Sequence, residues 1–346
     1  MGGTIHFAIP GDLDTPTGGY GYDRRLVAEL PKLGWSVEHI RLPDGFPNPD
    51  SNALAETAAL LDRLSGLLMI DGLAFGAMPE IAEILAGRLR LVALIHHPLA
   101  DETGLSSSVV ARLEESERRS LRFARQVICT SRTTAERLIS DFDVEPSRLT
   151  VAFPGTDRQR RKAARQGPPT ILSLAAIVPR KGHEVLISAL SKLAGRAWTR
   201  RIGRALDRGP GWGKILKTQT AKSGLADRIV FVGPVTDPAE ELRAADIFAL
   251  PSRHEGYGMA FAEALAHGLP IIACRAGAVP EVVPPEAGFL VPVDDTDAFV
   301  EALATLLDND GIRMRMSETA WRAAHDLPDW KDTARNVVSA LERAAS

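Results

Sequence analysis

His254–Gly268 reads HEGYGMAFAEALAHG. The apolar run IFALPS ends at Ser252, two glycines flank Tyr257, and an alanine-rich helical pattern opens at Met259. Phe261, Ala264 and Leu265 share one face of that helix and belong against a sheet, while Glu263 falls off that face. Gly268 and Pro270 punctuate the end, and the apolar run PIIACR follows at once. Strand, glycine loop, helix, strand is the repeating unit of a parallel sheet covered by helices. The first N–H groups of the helix lack intrahelical partners and form an anion site. Glu255 stands before that site and Glu263 beyond it, roughly 12 Å apart if the interval rises as a helix. The pair brackets a phosphate with carboxylates that accept hydrogen bonds from hydroxyls. A sugar joined to a nucleoside through a diphosphate has that layout.

The same alternation runs outward along the chain. Strands are predicted at IHFAI, SVEHIRL, LLMID, LVALIHH, QVICTS and TVAF, then at TILSLAAI, TRRIG, IVFVG, IFALPS, PIIACR and GFLVPV. Each is short and apolar, as a strand buried on both faces should be. Helical stretches lie between them; Pro31 breaks the first one and predicts an irregular last turn. Near residue 157 the pattern stops at DRQRRKAARQGPP, a basic stretch ending in Gly-Pro-Pro that reads as a linker. The expected division is residues 1–157, an acceptor-side Rossmann-like domain; 158–169, a basic linker; and 170–327, a second Rossmann-like domain. Residues 328–346 form a C-terminal amphipathic helix, with Ala334, Val337, Val338 and Leu341 at helical spacing, expected to pack back on the first domain.

Composition narrows the class. The chain has 346 residues, suiting two domains, with 45% hydrophobic and 25% charged residues. Its net charge of −3 asks for no nucleic-acid partner. Cys129 and Cys274 sit in apolar runs and read as buried thiols of a reducing compartment. No signal peptide is read at the N-terminus, and no apolar run is long enough to cross a bilayer. A cytoplasmic location is expected, with peripheral contact at the inner membrane face left open.

Ligands of open parallel sheets bind beyond the carboxyl ends of the strands. Four loops there carry polar or glycine-rich chemistry: PGDLDTPTGGYGYDRR, HHPLADETG, AAIVPRKGH and RHEGYGM. Gly18 and Gly19 precede a helix and permit close backbone approach to a ligand.

On these residues the chain resembles the family 4 glycosyltransferases, retaining enzymes of the GT-B fold, in which two doubly wound Rossmann-like domains face a cleft. SRHEGYGMAFAEALAHGLPIIACRAGAVPEVV is similar to the family's E-x7-E segment, PTGGYGYDRRL to its Gly-Gly loop, ALIHHP to its strand-then-histidine segment, and VPRKGHEVLISAL and DRIVFVGPV to the start and base-facing loop of its second domain. The resemblance implies a transferase moving a sugar from a nucleotide-sugar donor to an acceptor hydroxyl of a glycan, glycolipid or small molecule. By it, Glu263 holds the ribose, Glu255 faces the donor sugar, and the main chain of Gly256, Tyr257, Gly258 and Met259 meets sugar and phosphates. Gly18 and Gly19 approach the diphosphate, Lys181 offsets its charge with Arg180 as neighbour, Val235 lies by the base, and His96 is the active-site histidine, with His97 the alternative. The leaving phosphate takes the acceptor's proton on the same face, so no protein nucleophile is implied.

Two departures stand out. Ala175-Ala176 occupies the place of the family's Gly-Arg, and Arg204 that of a glycine facing the nucleotide. They support a second reading, a nucleotide-sugar-binding protein without turnover; an epimerase or phosphorylase on the same fold is a third. No metal or cofactor is expected. The Asp-x-Asp pairs Asp141/Asp143, Asp295/Asp297 and Asp308/Asp310 suit helix ends and turns, and no His/Cys cluster has metal-ligand spacing.

Overall fold

The computed structural model describes residues 2–160, 167–203, 211–233, 235 and 237–346. Two compact units appear, Met1–Gly155 with Pro328–Ser346, and Thr156–Leu327. Arg204 lies outside the described residues, as do 161–166 of the basic stretch.

The first unit is built on six parallel strands: β1 (Thr4–Pro10), β2 (Ser36–Leu42), β3 (Gly66–Asp71), β4 (Leu89–Ile95), β5 (Gln126–Cys129) and β6 (Leu149–Val151). They lie in the order β2-β1-β3-β4-β5-β6. The central strands are apolar on both sides because helices cover both faces; Leu91 through Ile95 of β4 are fully buried. The first helix, Gly18–Glu29, gives way to a 3-10 turn over Leu30–Leu33, where Pro31 cannot continue the α ladder. Asp329 and Asp332 form a capping box that starts the last helix, Trp330–Ala345. Its Trp330, Ala334, Val337 and Leu341 are buried, and it packs across β3 to β6 of this unit.

The second unit repeats the plan with β7 (Thr170–Leu174), β8 (Thr199–Gly203), β9 (Ile229–Gly233), β10 (Ile247–Leu250), β11 (Ile271–Cys274) and β12 (Gly288–Val291), ordered β12-β11-β10-β7-β8-β9. Each of the twelve described strands overlaps one of the runs read from the sequence, though β1, β3, β4 and β6 begin one or two residues before theirs. In each sheet the strand order reverses once, between β1 and β3 and between β7 and β10, and such reversals open a crevice at the strands' carboxyl ends. Cys129 and Cys274 are buried and not joined in a disulfide. Among the described residues, no helix is long and apolar enough to cross a membrane.

Candidate active site

In the second unit the loops after β7 and β10, on either side of the strand reversal, come together through side chains. Nζ of Lys181 donates to both oxygens of Glu255, at 2.6 and 2.8 Å. Arg180 donates through Nη1 to the carbonyl of His254 at 2.8 Å, and that atom lies 3.8 Å from the Glu255 carboxylate. Burial alone would raise the Glu255 pKa, but the charges of Lys181 and then Arg180 outweigh it and hold the carboxyl below its usual range. Glu255 is therefore ionised and only 7% exposed.

The helix after Glu255 runs Met259–Ala266, so the first half of the interval to Glu263 is loop and the helical rise used above applies only to the second half. Gly258 caps it at φ +102°, and a Cβ there would meet the Phe261 ring at 2.8 Å; only glycine fits the turn. No side chain caps this helix. Its open amides face out of the same loop that carries Glu255, Gly256 and Tyr257. Tyr257 is buried, which pushes its hydroxyl pKa up. Glu263 is half-buried, unlike the fully buried Phe261, Ala264 and Leu265 on the sheet side. Val235 sits half-buried beyond β9.

The first unit gathers a different set. Gly18 opens the first helix, with Thr17 as its cap, and Gly19 packs on His96: a Cβ on Gly19 would lie 3.2 Å from the ring. Nε2 of His96 is 3.2 Å from Asp23 and 3.3 Å from Asp71. Both aspartates are buried, Asp23 one turn beyond Gly19 on the helix and Asp71 at the end of β3. Burial would lower the His96 pKa, but Asp23 and then Asp71 raise it to about 10. Burial raises Asp23 to about 7, against the pull of His96 and with a push from Asp71. His96 is thus an imidazolium held by two carboxylates. The edge of Tyr22 closes the ring's side at 5.3 Å, and its hydroxyl donates to the Ala152 carbonyl at 3.0 Å. His97 instead approaches Glu102, at 3.8 Å.

Asp23, Asp71 and His96 are also the group among the described residues whose ligand atoms lie close enough together, within 4.8 Å, to surround a cation. The Asp-x-Asp carboxylates have other work. Asp295 caps the helix Thr296–Asp308, Asp308 pairs with Arg196 at 2.8 Å, Asp310 with Arg313 at 2.6 Å, and Asp143 ends a helix at φ 56°.

Asp23 and Asp71 were not singled out from the sequence. Asp71 ends a strand at the sheet reversal, and Asp23 sits four residues after Gly19; those placements were the available signals.

Comparison with known proteins agrees with this layout. Residues 22–160 match the model described as Glycosyltransferase Family 4, and 155–322 the model described as Glycosyl transferases group 1. Over 312 residues the chain is 31% identical to the GDP-mannose-dependent alpha-(1-6)-phosphatidylinositol monomannoside mannosyltransferase of Mycolicibacterium smegmatis, covering 82% of this chain and 79% of that one. The chain belongs to the family 4 glycosyltransferases. It is also 34% identical over 233 residues to the D-inositol 3-phosphate glycosyltransferase of Corynebacterium efficiens, a match covering 60% of this chain and about half, 54%, of that relative. The crystal structure of Anabaena Alr3699/HepE in complex with UDP and glucose superposes with a TM-score of 0.78 at 19% identity, over 97% of this chain and 99% of that one. This family 4 chain has the GT-B fold, each unit one of its two doubly wound domains.

Proposed function

We propose that this chain is a retaining hexosyltransferase that moves a sugar from a nucleotide-sugar donor to an acceptor hydroxyl, without a metal or cofactor. The observation that carries the reading is the grouping of Lys181, Glu255 and the uncapped start of the helix Met259–Ala266 at one sheet reversal. That grouping offers a cation and free amides to a diphosphate and a carboxylate to hydroxyls beside it. Glu263 accepts from the ribose, and Val235 borders the base. Gly256 through Met259 meet the donor through main chain. In the first unit, the open approach at Gly18 and Gly19 and the charged His96 serve the sugar and acceptor side.

As the glycosidic bond breaks, negative charge grows on the leaving diphosphate, and Lys181, with Arg180 behind it, offsets that charge. The leaving phosphate takes the acceptor's proton on the face it vacates, so no side chain attacks the sugar. His96, already protonated, donates a hydrogen bond rather than acting as base. The named relatives act on inositol-bearing or phosphatidylinositol-bearing acceptors, which supports a polyol or glycolipid acceptor here and peripheral work at the cytoplasmic membrane face.

Purified protein incubated with UDP-, GDP- and ADP-sugars in excess chelator tests the reading. Consumption of one donor class, and an acceptor product keeping the donor's anomeric configuration by NMR, is expected. A product of inverted configuration, activity abolished by chelator, or donor bound but never consumed would each overturn the corresponding part.

A further inference from the structure

Arg200 lies on β8, next to the edge strand of the second sheet, with no exposed surface. On β8 it stands between Ile171 of β7 and Ile229 of β9, and successive strand residues face opposite ways. Its neighbour Arg201 points to the other face and pairs with Glu241 at 2.7 Å. Arg200 has no such partner among the described residues. Nη2 donates to Ser173 Oγ at 3.3 Å, and Ser173 passes its own hydrogen to the Ala249 carbonyl; Nε and Nη1 take no partner among the described residues. Buried guanidinium groups are ordinarily paired, because an uncompensated charge in the interior is strongly unfavourable.

The side chain reaches toward the carboxyl end of β7. Ser173 is the penultimate residue of that strand, and its partner Ala249 belongs to β10, across the sheet reversal. His183, first residue of the next helix and fully buried, bonds through Nε2 to the Ala176 carbonyl at 3.2 Å. Burial first, then the charges of Arg200 and Lys181, hold His183 down to about 3, so both cations lie within electrostatic reach of it. The loop after β7 thus carries Arg180 and Lys181 beside Glu255, and Arg200 on the adjoining strand reaches the carboxyl end of β7 through Ser173.

We propose that Arg200 is an electrostatic binding residue whose charge, without a counter-ion among the described residues, is completed by a bound diphosphate at the carboxyl ends of β7 and β10. This rests on the donor reading above. Arg200 does not touch the ligand; it raises the positive potential of the loop that does. Burying an unpaired charge lowers the stability of the free protein, and the ligand's charge recovers the loss on binding.

Arg200→Met keeps the length and apolar stem while removing the charge, and Ser173→Ala removes the guanidinium's hydrogen bond while keeping it. Calorimetry with UDP, GDP, UMP, GMP and inorganic pyrophosphate, alongside ligand-free thermal melts, separates the roles. Arg200→Met is expected to melt no lower than the parent and to weaken pyrophosphate and the diphosphates about three- to tenfold, with a smaller loss for the monophosphates. Ser173→Ala is expected to hold diphosphate affinity within about twofold, since the charge remains. Arg200→Met melting lower with unchanged diphosphate affinity would make Arg200 purely structural and overturn the proposal. So would Ser173→Ala losing as much affinity as Arg200→Met. If Arg200→Met does not fold, Arg200→Lys takes its place: a retained charge is expected to keep the preference for diphosphate over monophosphate, and loss of that preference in a folded Arg200→Lys would overturn the proposal. Parent protein that binds none of these ligands would refute the donor reading itself; parent that binds them equally with Arg200→Met would refute this inference alone.

Discussion

Lys181 Nζ sits between the two carboxylate oxygens of Glu255, 2.6 and 2.8 Å away, and both side chains are largely covered. Each charge makes the burial of the other tolerable, so removing one partner strands the other. Lys181→Ala leaves Glu255 with only the more distant Arg180, at 3.8 Å, among the cations facing it. The free protein should lose about 3 kcal/mol in denaturant melts. Turnover should fall about 100-fold or more, because the cation on the leaving group is gone. A Lys181→Ala variant with parental stability would show the pair contributes nothing to the fold; parental turnover would move the diphosphate elsewhere.

Glu255 and Glu263 should part company on nucleotide binding. Glu263→Gln keeps the shape and removes the charge, so affinity for the preferred nucleoside diphosphate should drop by about 1.5–3 kcal/mol. On the proposed reading the Glu255 carboxylate faces the sugar, so Glu255→Gln should slow transfer while leaving that affinity near parental. Titration calorimetry on both variants decides it. Equal losses of nucleotide affinity would contradict separate roles.

The fold was legible because a buried parallel strand needs an unbroken apolar run, and runs such as LVALI and IFAL have few other uses. Lys181 and Glu255 were legible as loop residues after strands, but 74 positions separate them and only the strand order brings them into contact. The carboxylates around His96 were not legible. Asp23 looks like an ordinary polar residue of an amphipathic helix, and nothing local says that its face is covered. Arg200 was hidden more thoroughly. In TRRIG two adjacent arginines must face opposite sides of the sheet, and only the structure tells which one is inside.

His96 should stay protonated across the neutral range. A histidine whose folded pKa is raised contributes charge pairing that is complete below its unfolded value near 6.5, and this is lost only as pH rises through about 10. Its ring carbons should keep imidazolium shifts from pH 5 to 8, with only a small inflection near 7 as the neighbouring Asp23 titrates. Asp71→Asn removes one of the two carboxylates at Nε2 and should bring the titration down into the observable range, moving the alkaline limb of the transfer rate with it. A parent whose His96 titrates near 6.5 would show that the two aspartates do not clamp an imidazolium.

Glu117 sets a second pH dependence, on stability alone. It is fully buried on the helix Ser107–Leu121; Oε2 accepts from the Leu99 amide at 2.9 Å, and Oε1 has no partner among the described residues. Burial pushes its pKa up to about 8, with the Leu99 amide pulling back, Asp101 adding to the rise and Arg137 opposing it. The folded protein therefore holds a proton that the unfolded chain releases above about pH 4.5, so the contribution of Glu117 to stability falls as pH rises from there to about 8 and is level beyond. Glu117→Gln keeps an acceptor for the Leu99 amide and carries no charge. It should match the parent near pH 4 and exceed it by about 5 kcal/mol at pH 9. Some slope between pH 4 and 7 should survive in the variant, because Asp23, raised to about 7, acts in the same direction. Melting curves of parent and variant from pH 4 to 9 test this: curves that diverge on the alkaline side are expected, and parallel curves would mean that Glu117 is ionised within the fold.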